Sequence, residues 1–128
     1  MTDTLRRYTQ EKIRKKDFDC AKEYTLSMFS GKYKIVMIYH LFHDGTMRFN
    51  QIQRLLDDAT HKMLAQQLKE LVADGLVIRR EETIHNRKAV YYSLTETGES
   101  LMPIIEAMFS WGTGRLEELQ LENNFKLH

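Results

Sequence analysis

The residues best placed to do chemistry stand between Thr60 and Lys69. His61, Lys62, Ala65, Gln66 and Lys69 share one side of a helix, while Leu64, Leu68 and Leu71 recur at helical spacing on the other. The polar side offers cations, an amide that both donates and accepts, and one small residue. Gln66 can pair in bidentate fashion with adenine, and Lys69 can reach guanine or a phosphate. His61 and Lys62 stand at the helix start, where phosphate is favoured by the free backbone N–H groups. Met63 and Gln67 lie between the two faces, and the spacing does not assign them. The chemistry is therefore recognition of base edges and backbone in a DNA major groove. No Gly-rich phosphate loop and no Ser/His/Asp pattern occurs, so no catalytic residue is expected and the chain does not read as an enzyme.

Further candidates lie on both sides of that helix. Arg48 and Asn50 stand at the start of the preceding helix and suit phosphate contacts, with Asn50 also able to cap it together with Gln53. Arg87 and Lys88 follow His85-Asn86 at a loop tip, where they suit phosphate or the minor groove. The lone cysteine, Cys20, excludes an intrachain disulfide. It reads as a semi-buried small apolar residue, a sensor thiol or one half of a bond between two copies. His40 and His43 are spaced for one metal ion, but no cysteine or carboxylate cluster completes a site although Asp44 is adjacent, so two packed histidines are expected and neither metal nor cofactor.

The elements that must position these groups follow one another along the chain. Residues 1–17 form a charge-rich helical arm, and Asp19 caps a helix near 20–29. After Gly31, Lys32 to His43 is an apolar buried helix that Gly45 ends as a left-handed cap. Residues 46–49 form a short strand. Ile52, Leu55 and Leu56 line the next helix, Asp57 to Ala59 turn, and Thr60 caps the helix that runs to Asp74 and stops at Gly75. Leu76 to Glu82 is a strand with Leu76 and Ile78 on one face. Ala89 to Leu94 is its partner. Thr95 then caps one long final helix containing Pro103, the only proline.

The composition suits one domain: 128 residues, 42% hydrophobic, with a net charge of +1. The charge is unevenly spread. From Thr95 onward, Glu96, Glu99, Glu106, Glu117, Glu118 and Glu122 face only Arg115 and Lys126, so the earlier part is the basic one. Leu101, Ile104, Ile105, Met108, Phe109 and Trp111 exceed what a small core needs. With Leu5, Tyr8 and Ile13 of the arm they are expected to form a two-fold dimer interface. No apolar run long enough for a membrane span occurs, Met1 to Thr4 lacks the apolar stretch of a secretory signal, and a cytoplasmic location is expected.

This order, mainly α with a small β-hairpin, predicts a winged helix-turn-helix with an N-terminal arm (1–17), a DNA-binding core (18–95), a dimerisation helix (96–121) and a tail (122–128). The chain resembles the HxlR-type family of transcriptional regulators through Cys20 to Leu26, Gly31 to Ile35, Arg48-Phe49-Asn50, Lys62 to Leu71, Asp74-Gly75-Leu76, Tyr92 to Gly98 and Trp111-Gly112. It departs from the family pattern at Ala21, Tyr33, Ala59 and the wing tip. The resemblance implies a homodimer that binds palindromic operator DNA, acts as a repressor and, in several relatives, senses an oxidant or small electrophile through the cysteine. Alternative readings are a protein-interaction module on the same scaffold, or a regulator controlled by a noncovalent small ligand.

Overall fold

The computed structural model describes residues 20–125. The expected arm, its residues Leu5, Tyr8 and Ile13, and the cap at Asp19 lie outside them. Helix α1 (Ala21–Met28) starts from Cys20, whose extended backbone occupies the cap position without a side-chain hydrogen bond. Helix α2 (Lys34–Asp44) buries Met37, Ile38 and Leu41. It ends at Gly45, where φ is +81° and ψ −159°. The expected left-handed cap is corrected to this mirror-extended conformation, which glycine alone adopts freely.

Strand β1 (Met47–Arg48) leads into helix α3 (Phe49–Leu55). The Gln51 side-chain oxygen accepts from the Arg48 N–H at 2.8 Å, so the helix starts two residues before the expected cap. Asn50 is an exposed residue of its first turn. Gln53 Nε2 instead donates to the Ala59 carbonyl at 2.8 Å and closes the turn toward the next helix. Helix α4 (His61–Ala73) buries Leu64, Leu68 and Leu71 completely. The Gly75 N–H bonds the Val72 carbonyl at 3.1 Å and the Leu76 N–H bonds the Leu71 carbonyl at 3.0 Å. This closure needs φ of +77° at Gly75, which explains the glycine there.

Strands β2 (Val77–Ile84) and β3 (Arg87–Leu94) form an antiparallel hairpin, and β1 joins β3 on its other side in the order β1-β3-β2. Leu76 and Val77 are both buried, whereas Ile78 is 49% exposed. The expected pairing of Leu76 with Ile78 on one face is thus corrected. Leu76 belongs to the helix-closing turn, and strand alternation begins with Val77 inward. The loop is also shorter than expected, since Arg87 pairs with Ile84 and Lys88 with Thr83 inside the ladder.

The final segment is two helices rather than one. Thr95 caps α5 (Glu96–Glu99), accepting from the Gly98 N–H at 2.9 Å, and α6 (Met102–Glu118) begins afresh with Pro103 in its first turn. Proline has no N–H to offer the Glu99 carbonyl, so a continuous helix breaks there. Leu101, Met102 and Ile105 join the core formed by α2, α3, α4 and the sheet. Among the described residues no helix is long and apolar enough to cross a membrane.

Two polar contacts fix α4 against the start of α2. Gln67 Oε1 accepts from the Tyr33 N–H at 2.9 Å, and Lys34 Nζ meets Glu70 Oε1 at 3.0 Å with the lysine side chain only 2% exposed. Removing Glu70 strands the Lys34 charge in the interior. Glu70→Ala is expected to cost about 3 kcal/mol in urea unfolding, because Lys34 loses its counter-ion. Lys34→Met, which leaves Glu70 in contact with solvent, is expected to stay within about 1 kcal/mol of the parent.

Candidate nucleic-acid interface

Thr60 sets the start of α4. Its extended backbone ends the preceding turn, and its Oγ1 accepts from the Met63 N–H at 3.1 Å. From that start the helix presents His61, Lys62, Gln66 and Lys69 to solvent, with Ala65 half-buried at their edge. The two undecided residues separate: Gln67 turns inward onto α2, and Met63 stays 46% exposed beside the polar face. The His61 ring packs on Phe49 with centroids 4.5 Å apart, which steadies it at the junction of α3 and α4. Gln66 Nε2 makes only a long contact with Glu70, at 3.5 Å, so its amide can exchange that contact for another.

Arg48 and Asn50 are exposed at the opening of α3. The Arg48 guanidinium lies 5.8 Å from the centre of the Tyr91 ring, and Arg80 of β2 approaches the same ring at 5.1 Å. A tyrosine between two guanidiniums holds both against the outer face of the sheet.

The hairpin tip is a two-residue turn with His85 at φ 52° and Asn86 at φ 63°. Positive φ at both central residues matches the twist of the flanking strands. Arg87 and Lys88 therefore rise from paired backbone rather than from a loose loop. Lys88 Nζ lies 3.8 Å from Glu81, with its side chain 73% exposed.

Sequence reasoning missed Arg79 and Arg80. The signal was present as consecutive arginines in a strand, which must point to opposite faces. Arg79 Nη1 donates to Glu81 Oε1 at 2.8 Å. That hydrogen bond, reinforced by one with Tyr92, raises the Arg79 pKa. The same hydrogen bond, followed by the nearby Lys88 charge, holds the Glu81 carboxyl below its ordinary range.

The remaining candidates separate from this surface. Cys20 is exposed at the head of α1. Of the residues expected at a dimer interface, Leu101 and Ile105 are covered by the chain's own core, a correction to their assignment. Ile104, Met108, Phe109 and Trp111 stay exposed on α6, Trp111 at 72%. His40 pairs with Asp44 at 3.0 Å, and His43 lies 3.8 Å from Glu106. Each histidine thus faces its own carboxylate.

Comparison with known proteins bears on the same arrangement. A family model described as HxlR-like helix-turn-helix matches residues 28–120. The chain is 48% identical over 90 residues to the uncharacterized HTH-type transcriptional regulator YdzF of Bacillus subtilis, covering 70% of this chain and 82% of that protein. Among solved structures, the redox regulator HypR in its reduced form superposes with a TM-score of 0.73 at 40% identity, covering 79% of this chain and 98% of that one. HypR in its oxidized form superposes at 0.68 with 42% identity, over 74% of this chain and 96% of that one.

The cap at Thr60 is testable by itself. Thr60→Ala leaves the Met63 N–H without its side-chain acceptor and is expected to destabilise the fold by about 1 kcal/mol. Thr60→Ser, which keeps the hydroxyl, is expected to retain most of the stability in the same urea titration.

Proposed function

The chain belongs to the HxlR-like helix-turn-helix family and is a DNA-binding transcriptional regulator, not an enzyme; from that footing we propose that it works in the cytoplasm as a homodimeric repressor of a palindromic operator, with Cys20 as its oxidant- or electrophile-sensing thiol. The observation that carries this reading is the outward face of α4, where His61, Lys62, Gln66 and Lys69 stand free of the core beside a hairpin bearing Arg87 and Lys88. Residues 18–95 then hold the DNA, with α4 reading bases and Arg48, Asn50, Thr60 and the wing gripping the backbone.

One recognition helix reads few base pairs. Two copies about 34 Å apart address successive major grooves. The exposed apolar ridge of Ile104, Met108, Phe109 and Trp111 within 96–121 supports the pairing of two chains. Covering it in a dimer removes from water a patch that a monomer would leave open.

Three observations support a sensing role for Cys20. The thiol is exposed, it starts a helix, and the chain is similar to a redox regulator solved in reduced and oxidized forms. A physical route to α4 also exists. The Tyr24 N–H bonds the Cys20 carbonyl at 3.1 Å. The Tyr24 hydroxyl has its pKa raised by burial and, second, by the carboxylate of Asp74, the residue that ends α4. With one cysteine per chain, oxidation joins Cys20 of two copies. The two thiols give up two protons and two electrons to the oxidant as the S–S bond forms. A shift of α1 that rotates the two α4 helices out of register costs both sets of groove contacts.

Gel shifts on the DNA upstream of the protein's own gene test the reading. Affinity is expected to fall steeply and log-linearly with salt. The double variant Lys62→Ala/Gln66→Ala is expected to lose discrimination between operator and random duplex while sedimenting as the parent dimer. An unchanged footprint overturns the assignment of α4. Diamide is expected to release the parent protein, dithiothreitol to restore binding, and Cys20→Ser to bind regardless of oxidant. Release of Cys20→Ser by diamide overturns the thiol assignment.

A further inference from the structure

A groove of about 420 Å³ runs between the second half of α4 and the hairpin, lined by Ala65, Lys69, Val72, Ala73, Arg79 and Tyr92. Its volume lies in the range of small-molecule sites, roughly 300–1,000 Å³. We infer that this groove binds a small amphiphilic anion, a flat aromatic carboxylate, and that its occupant and DNA exclude each other. The second half of the inference rests on the DNA-binding reading above; the first half does not.

The lining sorts into two parts. Ala65, Val72 and Ala73 are half-buried, small or branched, and together with Tyr92 of β3 they make an apolar floor. Lys69 and Arg79 supply cations from the two sides. Lys69 is exposed and makes no ion pair among the described residues. Arg79 Nη1 already donates to Glu81 at 2.8 Å, which holds its planar fork in place, and a guanidinium carries five N–H donors in all. A preformed guanidinium loses less freedom when it takes a carboxylate than a mobile one does.

The chemistry of the lining selects the occupant. A bare phosphate satisfies the cations but leaves the alanine and valine wall against water. An uncharged hydrocarbon fills the wall but covers Lys69 without giving it a counter-ion. An aromatic acid does both. Ala65 and Lys69 also belong to the outward face of α4, so a molecule seated on them stands where the duplex must come.

The test uses the full chain in titration calorimetry, with 2-naphthoate as probe and 2-naphthalenemethanol as its neutral control. The expected result is one naphthoate per chain at submillimolar affinity, with the alcohol at least tenfold weaker. Ala73→Phe, which fills the floor, is expected to abolish binding. Shifts of the Ala65, Val72 and Ala73 methyl resonances in the parent protein supply a readout that needs no variant. Equal binding of acid and alcohol, binding retained by folded Ala73→Phe, shifts elsewhere, or no saturable binding overturns the site. In gel shifts, naphthoate at 100 times its own Kd is expected to weaken duplex binding roughly 100-fold if exclusion is complete. Naphthoate that binds the groove without weakening the duplex overturns the exclusion alone. A chain that binds naphthoate but no duplex refutes the DNA reading and leaves the groove assignment standing.

Discussion

The structure depends on how α4 is held against the start of α2. Three leucines, Leu64, Leu68 and Leu71, provide the bulk of the burial, but leucines alone permit rotation and sliding. The Gln67 amide on the Tyr33 N–H and the Lys34–Glu70 pair add directional contacts on the same side. Both put polar groups where an apolar core would otherwise close, and a misplaced helix would leave them unpaired. Their effect is to make one orientation of α4 much better than its neighbours. The outward residues then have fixed directions, which recognition of a rigid duplex requires.

Much of this was legible in the sequence. The leucine spacing, Thr60 and Gly75 named the ends and the inner face of α4, because caps and helical periodicity are local properties. What was not legible depended on partners far along the chain. Gln67 lies at the boundary between faces, and only the nearby Tyr33 N–H, 34 residues earlier, decides its direction. Asn50 has the composition of a cap, yet Gln51 does the capping because β1 pairs with β3 and delivers Arg48 to that point. Ile78 resembles a core residue until the closing turn of α4 consumes Leu76 and shifts the strand alternation by one. Leu101 and Ile105 share an apolar stripe with residues that stay exposed, and nothing in their spacing says which of them the core claims. The break before α6 has a local signal in Pro103, whose missing N–H cannot continue a helix from Glu99.

The wing shows how a basic element can keep its shape. Its two consecutive arginines are not free charges. Arg79 and Arg80 each hold a glutamate two residues on, at 2.8 Å and 3.2 Å, each pair on its own face of the strand. Such exposed pairs contribute little to stability. They do orient the guanidiniums and keep β2, the edge of the sheet, from offering a flat apolar template to another chain. The tight turn at His85-Asn86 continues the ladder to its tip, so Arg87 and Lys88 inherit the stiffness of the strands.

One small junction has mechanical weight. The Thr95 hydroxyl donates to the Gly75 carbonyl at 2.7 Å and accepts from the Gly98 N–H at 2.9 Å. At Gly98 an added Cβ would lie 2.2 Å from the Leu76 carbonyl oxygen, so the backbones touch with no room for a side chain. The end of α4, the root of the hairpin and the approach to α6 thus converge on a single unyielding pivot. That packing leaves no slack between the end of α4 and the approach to the C-terminal rod.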